Sequence, residues 1–202
     1  MSPDLVYWNN VFAEVRQKQQ PYAPETHWLT SYIPLMRGQN VQRVLEISCG
    51  TGTDTQFLTE QGFDMTATDY STHALSIVRE RLPDVALLLH DTRDPFPFGN
   101  GSFDFVLGSL SLHYFDRATT GRIVREIGRL LRPRGLLLFR VNSVHDPSFQ
   151  SGQIDLLEQD FLLQDSICRR YFSIETCRET FQGWEEILLE EKTVDAYGKP
   201  KT

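Results

Sequence analysis

The stretch VLEISCGTGTDT, Val44 to Thr55, decides how this chain is read. An apolar run ends in a turn holding Gly50 and Gly52, and a helix-compatible segment starts near Thr53. Glycine at those two positions removes the Cβ atoms that would keep a ligand off the main chain, and the following helix aims its unpaired N–H groups at the same place. Strand, glycine turn and helix in that order is how open α/β sheets let a nucleotide-like ligand approach the backbone. Tight turns after buried strands also use glycine for structure alone, so the turn is weighed by its surroundings.

On either side of the turn the texture is that of a layered α/β domain. Short apolar runs, Arg43 to Ile47, Met65 to Thr68, Val85 to His90, Phe103 to Gly108 and Gly135 to Val141, alternate with helical segments. That alternation predicts a parallel sheet covered on both faces. Between the second and third runs, STHALSIVRERLP reads as a helix capped by Ser71 and stopped by Pro83, with Ala74, Leu75, Val78 and Leu82 inward. A second helix is expected from about Thr119 to Leu131, with Ile123, Val124, Ile127, Leu130 and Leu131 inward, ended by Pro133 and Gly135.

Before the sheet, Leu5 to Arg37 reads as two short helices rich in aromatics and broken by Pro21, Pro24 and Pro34. After it, NSVHDPSFQSGQIDLLEQDF reads as a long functional loop or lid. Ser173 caps a helix through Phe181, and Trp184 to Val194 reads as a strand.

Composition bounds the function. With 202 residues and 40% hydrophobic content, one core without metal or disulfide support is the expectation. A net charge of -7 disfavours a nucleic-acid partner, and the arginines on the later helix, Arg122, Arg125, Arg129 and Arg132, read as a solvated face. Cys49, Cys168 and Cys177 form no CxxC pair, which fits a reducing compartment. With no signal-like start and no membrane-length apolar run, a cytoplasmic protein without a membrane partner is expected.

Two carboxylates narrow the ligand. Glu46 lies inside the first strand, two residues before Ser48, where a buried negative charge is costly without a cationic partner. It would repel a bare pyrophosphate and welcome an ammonium or sulfonium, so it favours S-adenosylmethionine over a dinucleotide; a paired strand-end glutamate is the structural alternative. Asp69 closes the second strand, where its carboxylate can accept from both ribose hydroxyls, and Tyr70 beside it can lie against an adenine. Helix capping is the competing reading of Asp69, but Ser71 already fills that position.

The segments VLEISCGTGTDT, TATDYS, HDTRDPFPFGNGSFDFVLGSLSLHYF and LLRPRGLLLFRV resemble, in order and spacing, the successive motifs of class I S-adenosylmethionine-dependent methyltransferases over roughly Val41 to Val141. The resemblance implies a Rossmann-like, doubly wound, mostly parallel sheet of six to seven strands. It also implies a helical lead-in over residues 1–40 covering the cofactor site, and a single S-adenosylmethionine-binding domain over 41–202. It implies that Glu46, Ser48, Cys49, Gly50 and Gly52 cradle the methionine moiety, with Asp69 on the ribose and Tyr70 next to the adenine. Asp91 then meets the adenine amino group with Thr92 beside it, and Ser109 and Leu110 face the methionine and the incoming nucleophile.

Two features depart from that pattern. Ser48 stands where the family usually has its first glycine, and a positive φ there would cost about 1–2 kcal/mol. The family's fold ends in an antiparallel hairpin, and GKPKT lies where its seventh strand is expected to begin, so an incomplete final strand is expected. The late segment from DFLLQDSICRRYFS to EEILLEEKTVDAYGKPK is loosely similar to the tellurite-resistance type of small methyltransferase.

Methyl transfer from a sulfonium needs alignment and exclusion of water more than covalent machinery. His113 is the candidate catalytic residue, to steer a small-molecule acceptor or take its proton, against the alternative of a packed loop histidine. Tyr7, Trp8, Tyr22 and Tyr114 are candidate walls, with a core role equally open to them. His145 and Asp146 are candidate substrate contacts, also explained by a surface turn, and His90 ends a strand. The five histidines and three cysteines show no metal-ligand spacing, so no zinc or iron–sulfur site is expected. A nicotinamide-dependent oxidoreductase is the rival enzyme class, but GxGxxG fails at Thr55; a non-catalytic S-adenosylmethionine-binding module acting through a partner is the rival of another kind. The residues leave open which atom of the acceptor is methylated and the oligomeric state.

Overall fold

A computed structural model describes residues 3–17, 27–149, 154–164, 167–196 and 199–202 of the protein. Helix α1 (Pro3–Gln17) opens the chain, and a 3-10 turn (Trp28–Tyr32) runs into α2 (Ile33–Gly38). The breaks expected at Pro21 and Pro24 lie outside the described residues. Then follow β1 (Arg43–Glu46), α3 (Thr53–Glu60), β2 (Asp64–Asp69), α4 (Thr72–Arg81), β3 (Ala86–Leu89) and β4 (Phe103–Ser109). After them come a short 3-10 turn (Leu112–Tyr114), α5 (Arg117–Leu130) and β5 (Leu131–Arg140).

These strands form one five-stranded sheet in the order β3-β2-β1-β4-β5, and β1 pairs in parallel with both β2 and β4. The order reverses at β1, so the crevice beyond the carboxyl ends of β1 and β4 is the topological switch point where ligands of such sheets bind. The sheet is thus doubly wound as the sequence implies, with five strands instead of six to seven. β1 and β4 are buried almost throughout, as central parallel strands must be. Asp104 of β4 ties their register: its carboxylate accepts from the main-chain N–H of Gln42 and Arg43 at 2.9 and 2.8 Å and from Arg132 Nε at 2.8 Å.

The helices follow their sequence signals. Ser71 Oγ accepts from Ala74 N at 3.2 Å and starts α4, whose Ala74 and Val78 are buried. Ile123, Val124, Ile127 and Leu130 of α5 are buried, as is Leu131. This helix passes directly into β5, so Pro133 and Gly135 lie inside a strand instead of ending a helix.

Two compact units divide the described residues. The first takes the chain up to Ser109 together with Glu126–Leu138; its core is built on Leu29, Met36, Val44, Leu58, Val78 and Leu107. The second takes Leu110–Arg125 and the residues from Phe139 onward. It contains β6 (Ile154–Glu158), β7 (Phe161–Gln164) and β8 (Ile167–Arg170), an antiparallel sheet in that order, with α6 (Ile174–Thr180) and a hairpin of β9 (Val194–Ala196) and β10 (Lys199–Lys201).

Two sequence expectations are corrected in this second unit. The stretch read as a loop or lid contains β6, and residues 150–153 of it lie outside the described set. Trp184 to Val194 is not a strand: up to Thr193 it is turn and irregular chain, with Ile187 and Leu188 each 59% exposed, because no strand among the described residues takes up its hydrogen bonds. The region expected to hold an incomplete final strand carries the β9–β10 hairpin. Ser173 does cap α6, and reciprocal bonds with Thr176 close a capping box.

Candidate functional site

The turn after β1 is wound tightly by three left-handed residues, Ser48 (φ 54°), Gly50 (φ 54°) and Gly52 (φ 73°). Glycine is obligatory at Gly52, since a Cβ there would sit 2.7 Å from Val78 Cγ2 of α4. A Cβ on Gly50 would meet the Phe12 ring of α1 at 3.4 Å. Ser48 adopts the positive φ that its side chain disfavours, and its hydroxyl lies 3.2 Å from Thr92 Oγ1, so the departure from glycine is accompanied by a bond across to the loop after β3.

Glu46, the last residue of β1, is 3% exposed, and its carboxylate accepts a short hydrogen bond from Thr55 Oγ1 of α3. Burial first, then the charges of Asp54 and Asp69, push its pKa well above the usual carboxylate range, against the opposing pull of the Thr55 bond. A buried acid in that condition is short of positive charge. Asp54 is itself engaged, by Trp28 Nε1 at 2.9 Å and His27 Nε2 at 3.1 Å.

Asp69 ends β2, the strand beside β1, and is also 3% exposed. Its Oδ2 accepts from Gly50 N at 2.9 Å and its Oδ1 from Ser71 N at 2.8 Å, so this one carboxylate holds the glycine turn and the start of α4 together. Burial raises its pKa despite the main-chain bonds that lower it. Sequence reasoning missed that clamp, and also missed Asn9 of α1, whose Oδ1 accepts from Ser71 Oγ at 2.6 Å. A residue contributed from the first helix leaves no mark in a strand-and-turn pattern.

Of the remaining expected residues in this unit, Tyr70 is half-buried after Asp69, Ser109 ends β4 and Thr92 is buried beside Ser48. Asp91 is gripped by Arg93 through both carboxylate oxygens, at 2.6 and 2.9 Å among other contacts. Burial opposes that grip, but the Arg93 bonds and charge prevail and lower its pKa. Cys49 is buried and its thiol is pushed well up by burial and by Glu46 and Asp69, so it is no nucleophile. Trp8 stacks on Phe12 with centroids 5.6 Å apart and Tyr7 meets Trp8 edge-on, while Tyr22 lies outside the described residues.

Leu110 and His113 belong to the second unit. Leu110 is 38% exposed with φ 52°, and its N–H donates to Arg140 O at 2.7 Å. His113 is 1% exposed, packs against Tyr114 with centroids 4.1 Å apart, and has no hydrogen-bond partner at Nδ1. His145 is exposed and pairs with Glu191, while Asp146 is buried and accepts from Ser148 N and Thr202 N at 2.7 and 2.9 Å. Asp146, read from sequence as a candidate substrate contact or part of a surface turn, sits in a turn but is buried and ties down the end of the described chain.

Burial, and after it the charges of Arg169, Arg140 and Lys201, hold the His113 pKa down to about 3 from 6.5. Between those two values the unfolded chain binds a proton that the folded protein refuses, so this contribution to stability is complete above pH 6.5 and is lost as pH falls toward 3. By pH 4 the loss amounts to roughly 3 kcal/mol. Urea unfolding of the wild type and His113→Gln at both pH values should show the wild type losing that amount relative to the variant. Parallel pH profiles would contradict it.

A family model described as a methyltransferase domain matches residues 44–135, which include β1, the glycine turn, Asp69, Asp91 and Ser109. Among curated relatives, an uncharacterized methyltransferase of Synechocystis sp. is 33% identical over 107 residues, 53% of this chain and 49% of its own. A demethylmenaquinone methyltransferase of Beutenbergia cavernae is 32% identical over 111 residues, 55% of this chain and 45% of its own. The chain spans about half the length of the curated relatives it matches. Its fold is similar to the solved structure of a S-adenosylmethionine-dependent methyltransferase from Methanosarcina mazei, with a TM-score of 0.69 at 17% identity, covering 83% of this chain and 92% of that one.

Proposed function

We propose that this chain is, through residues 44–135, a class I S-adenosylmethionine-dependent methyltransferase and that it moves a methyl group from S-adenosylmethionine to a small-molecule acceptor by in-line displacement. The observation that carries the reading is Glu46, a buried carboxylate short of positive charge at the end of β1 and on the strand beside the one that ends in Asp69. The donor set fits a cationic nucleoside. A sulfonium or ammonium supplies what Glu46 lacks, and Asp69, a carboxylate with about four acceptor positions, keeps room for a ribose hydroxyl beside the main-chain bonds from Gly50, Ser71 and Tyr70.

In this reading Ser48, Cys49, Gly50 and Gly52 bring main chain against the methionine part, and Tyr70, Asp91 and Thr92 meet the adenine. Ser109 and Leu110 lie on the side of the reacting carbon. When bound, S-adenosylmethionine supplies an electrophilic methyl group on a good leaving group. What the chain adds is alignment and exclusion of water. His113, held neutral and with a free Nδ1, orients the acceptor by a hydrogen bond; with its pKa near 3 it serves as a positioning residue before it serves as a base. A small-molecule acceptor accords with relatives such as the demethylmenaquinone enzyme and with the chain's net charge of -7.

Isothermal titration with S-adenosylmethionine, S-adenosylhomocysteine and NADH tests the reading. Saturable binding of both sulfur nucleosides without NADH binding is expected, together with S-adenosylhomocysteine release across an acceptor panel. Binding with no turnover on any acceptor would favour a sensing module, and NADH binding alone would reverse the assignment.

A further inference from the structure

Three segments of the second unit converge on one turn. Leu110 N donates to Arg140 O and sets the end of β5 against the start of Ser111–Tyr114. That turn packs on β8, which carries Arg169. The chain just after β8 meets the chain just after β5 through the Ser143 to Phe172 bridge and the bond from Phe172 N to Asn142 O, and Ser143 N donates to Thr202 O, which brings in Lys201. The segments that carry Arg140, Arg169 and Lys201 therefore meet at this turn, and their charges act on His113.

The polar balance at this place is unusual. Ser111 Oγ and His113 Nδ1 are both buried without a hydrogen-bond partner, on residues 2% and 1% exposed. An unsatisfied buried polar atom is costly, and two neighbours in one turn call for a reason. Lys201 has Asp146 at 3.5 Å and Ser148 Oγ at 3.3 Å, so its charge is partly answered. Among the described residues no carboxylate lies within ion-pair distance of Arg169. A chain with a net charge of -7 has nonetheless gathered cations here around two vacant hydrogen-bonding atoms. Like charges repel, and a group that accepts hydrogen bonds and carries negative charge answers both deficits at once.

We propose that Ser111 Oγ and His113 Nδ1, together with Arg140, Arg169 and Lys201 from the segments that meet at this turn, form a recognition site for an oxyanion group, carboxylate or phosphate, of the small-molecule acceptor. Calling the ligand the acceptor rests on the methyltransferase reading; the anion site itself does not. Neutral imidazole and hydroxyl donate directional hydrogen bonds while the guanidinium groups supply charge, so the site selects a charged group over an isosteric amide by both means.

The test follows the His113 ring nitrogens by NMR in 15N-histidine-labelled protein titrated with acetate, inorganic phosphate, acetamide or chloride at constant ionic strength. Acetate or phosphate should shift the His113 signals saturably, acetamide and chloride should not, and the tighter of the two anions identifies the acceptor's group. Arg169→Gln should weaken that binding tenfold or more and Arg169→Lys less, with S-adenosylhomocysteine affinity unchanged within twofold in both. Absence of a saturable shift with either anion, an equal shift with chloride, or unchanged anion affinity in a folded Arg169→Gln protein overturns the proposal. S-adenosylhomocysteine titration is scored separately: anion binding without it refutes the methyltransferase reading alone, and nucleoside binding without the anion refutes the anion site alone.

Discussion

Glu46→Gln should lower S-adenosylmethionine affinity about 100-fold, the scale of one charge-assisted contact in a buried site, while making the free protein more stable by about 1–3 kcal/mol at pH 8. The two effects have one cause. Burial, with Asp54 and Asp69 adding to it, raises the Glu46 pKa well above its ordinary 4.5, so in the folded protein ionisation is resisted. A carboxyl whose folded pKa is raised contributes its full stability below 4.5 and loses it as pH rises through the folded value. Glutamine retains an oxygen for the Thr55 hydroxyl and carries no charge, so the advantage of the variant should vanish near pH 4 and grow with alkalinity. A cationic ligand favours the ionised form, so wild-type binding should release protons and strengthen with pH, and the Glu46→Gln response should be flat. Titration calorimetry in buffers of different ionisation enthalpy, together with thermal melts across pH, reads both quantities. A variant that binds as well as wild type would remove Glu46 from the cofactor site.

The parts of this molecule legible in the sequence are those determined by neighbours along the chain. Ser71 as a helix cap, Ser48 as a residue forced to positive φ, and the strands carrying Glu46 and Asp69 each follow from a few consecutive residues. Strand status in the second unit was harder to read, because a short segment becomes a strand only when a partner takes up its hydrogen bonds. WEEILLEEKTV has the composition for a strand but pairs with no strand among the described residues up to Thr193, while Ile154–Glu158 looks like loop and is paired. The cations around His113 come from Arg140, Arg169 and Lys201, far apart in the chain, and no local pattern announces them. Asp69 shows the same limit within one residue: its place at a strand end is visible in sequence, but its bond to Gly50 depends on how β1 and β2 lie together.

That bond makes Asp69 the counterpart of Glu46 with the opposite sign. Both are 3% exposed carboxylates at the ends of adjacent parallel strands, yet Glu46 is met by a hydroxyl and Asp69 by main-chain N–H groups, those of Gly50 and Ser71 at 2.9 and 2.8 Å. Asp69→Ala leaves both donors buried and orphaned and should cost about 3–5 kcal/mol, with the glycine turn and the start of α4 loosened together. Asp69→Asn keeps one acceptor and turns an NH2 group toward the other N–H, so its cost should be about half as large. Urea unfolding measures these losses, and both variants should also lose cofactor affinity through the turn. If Asp69→Asn were as stable as wild type yet failed to bind, Asp69 would act on the ligand alone. If it bound normally while destabilised, the carboxylate would be a clamp for the turn and not a contact for the ribose.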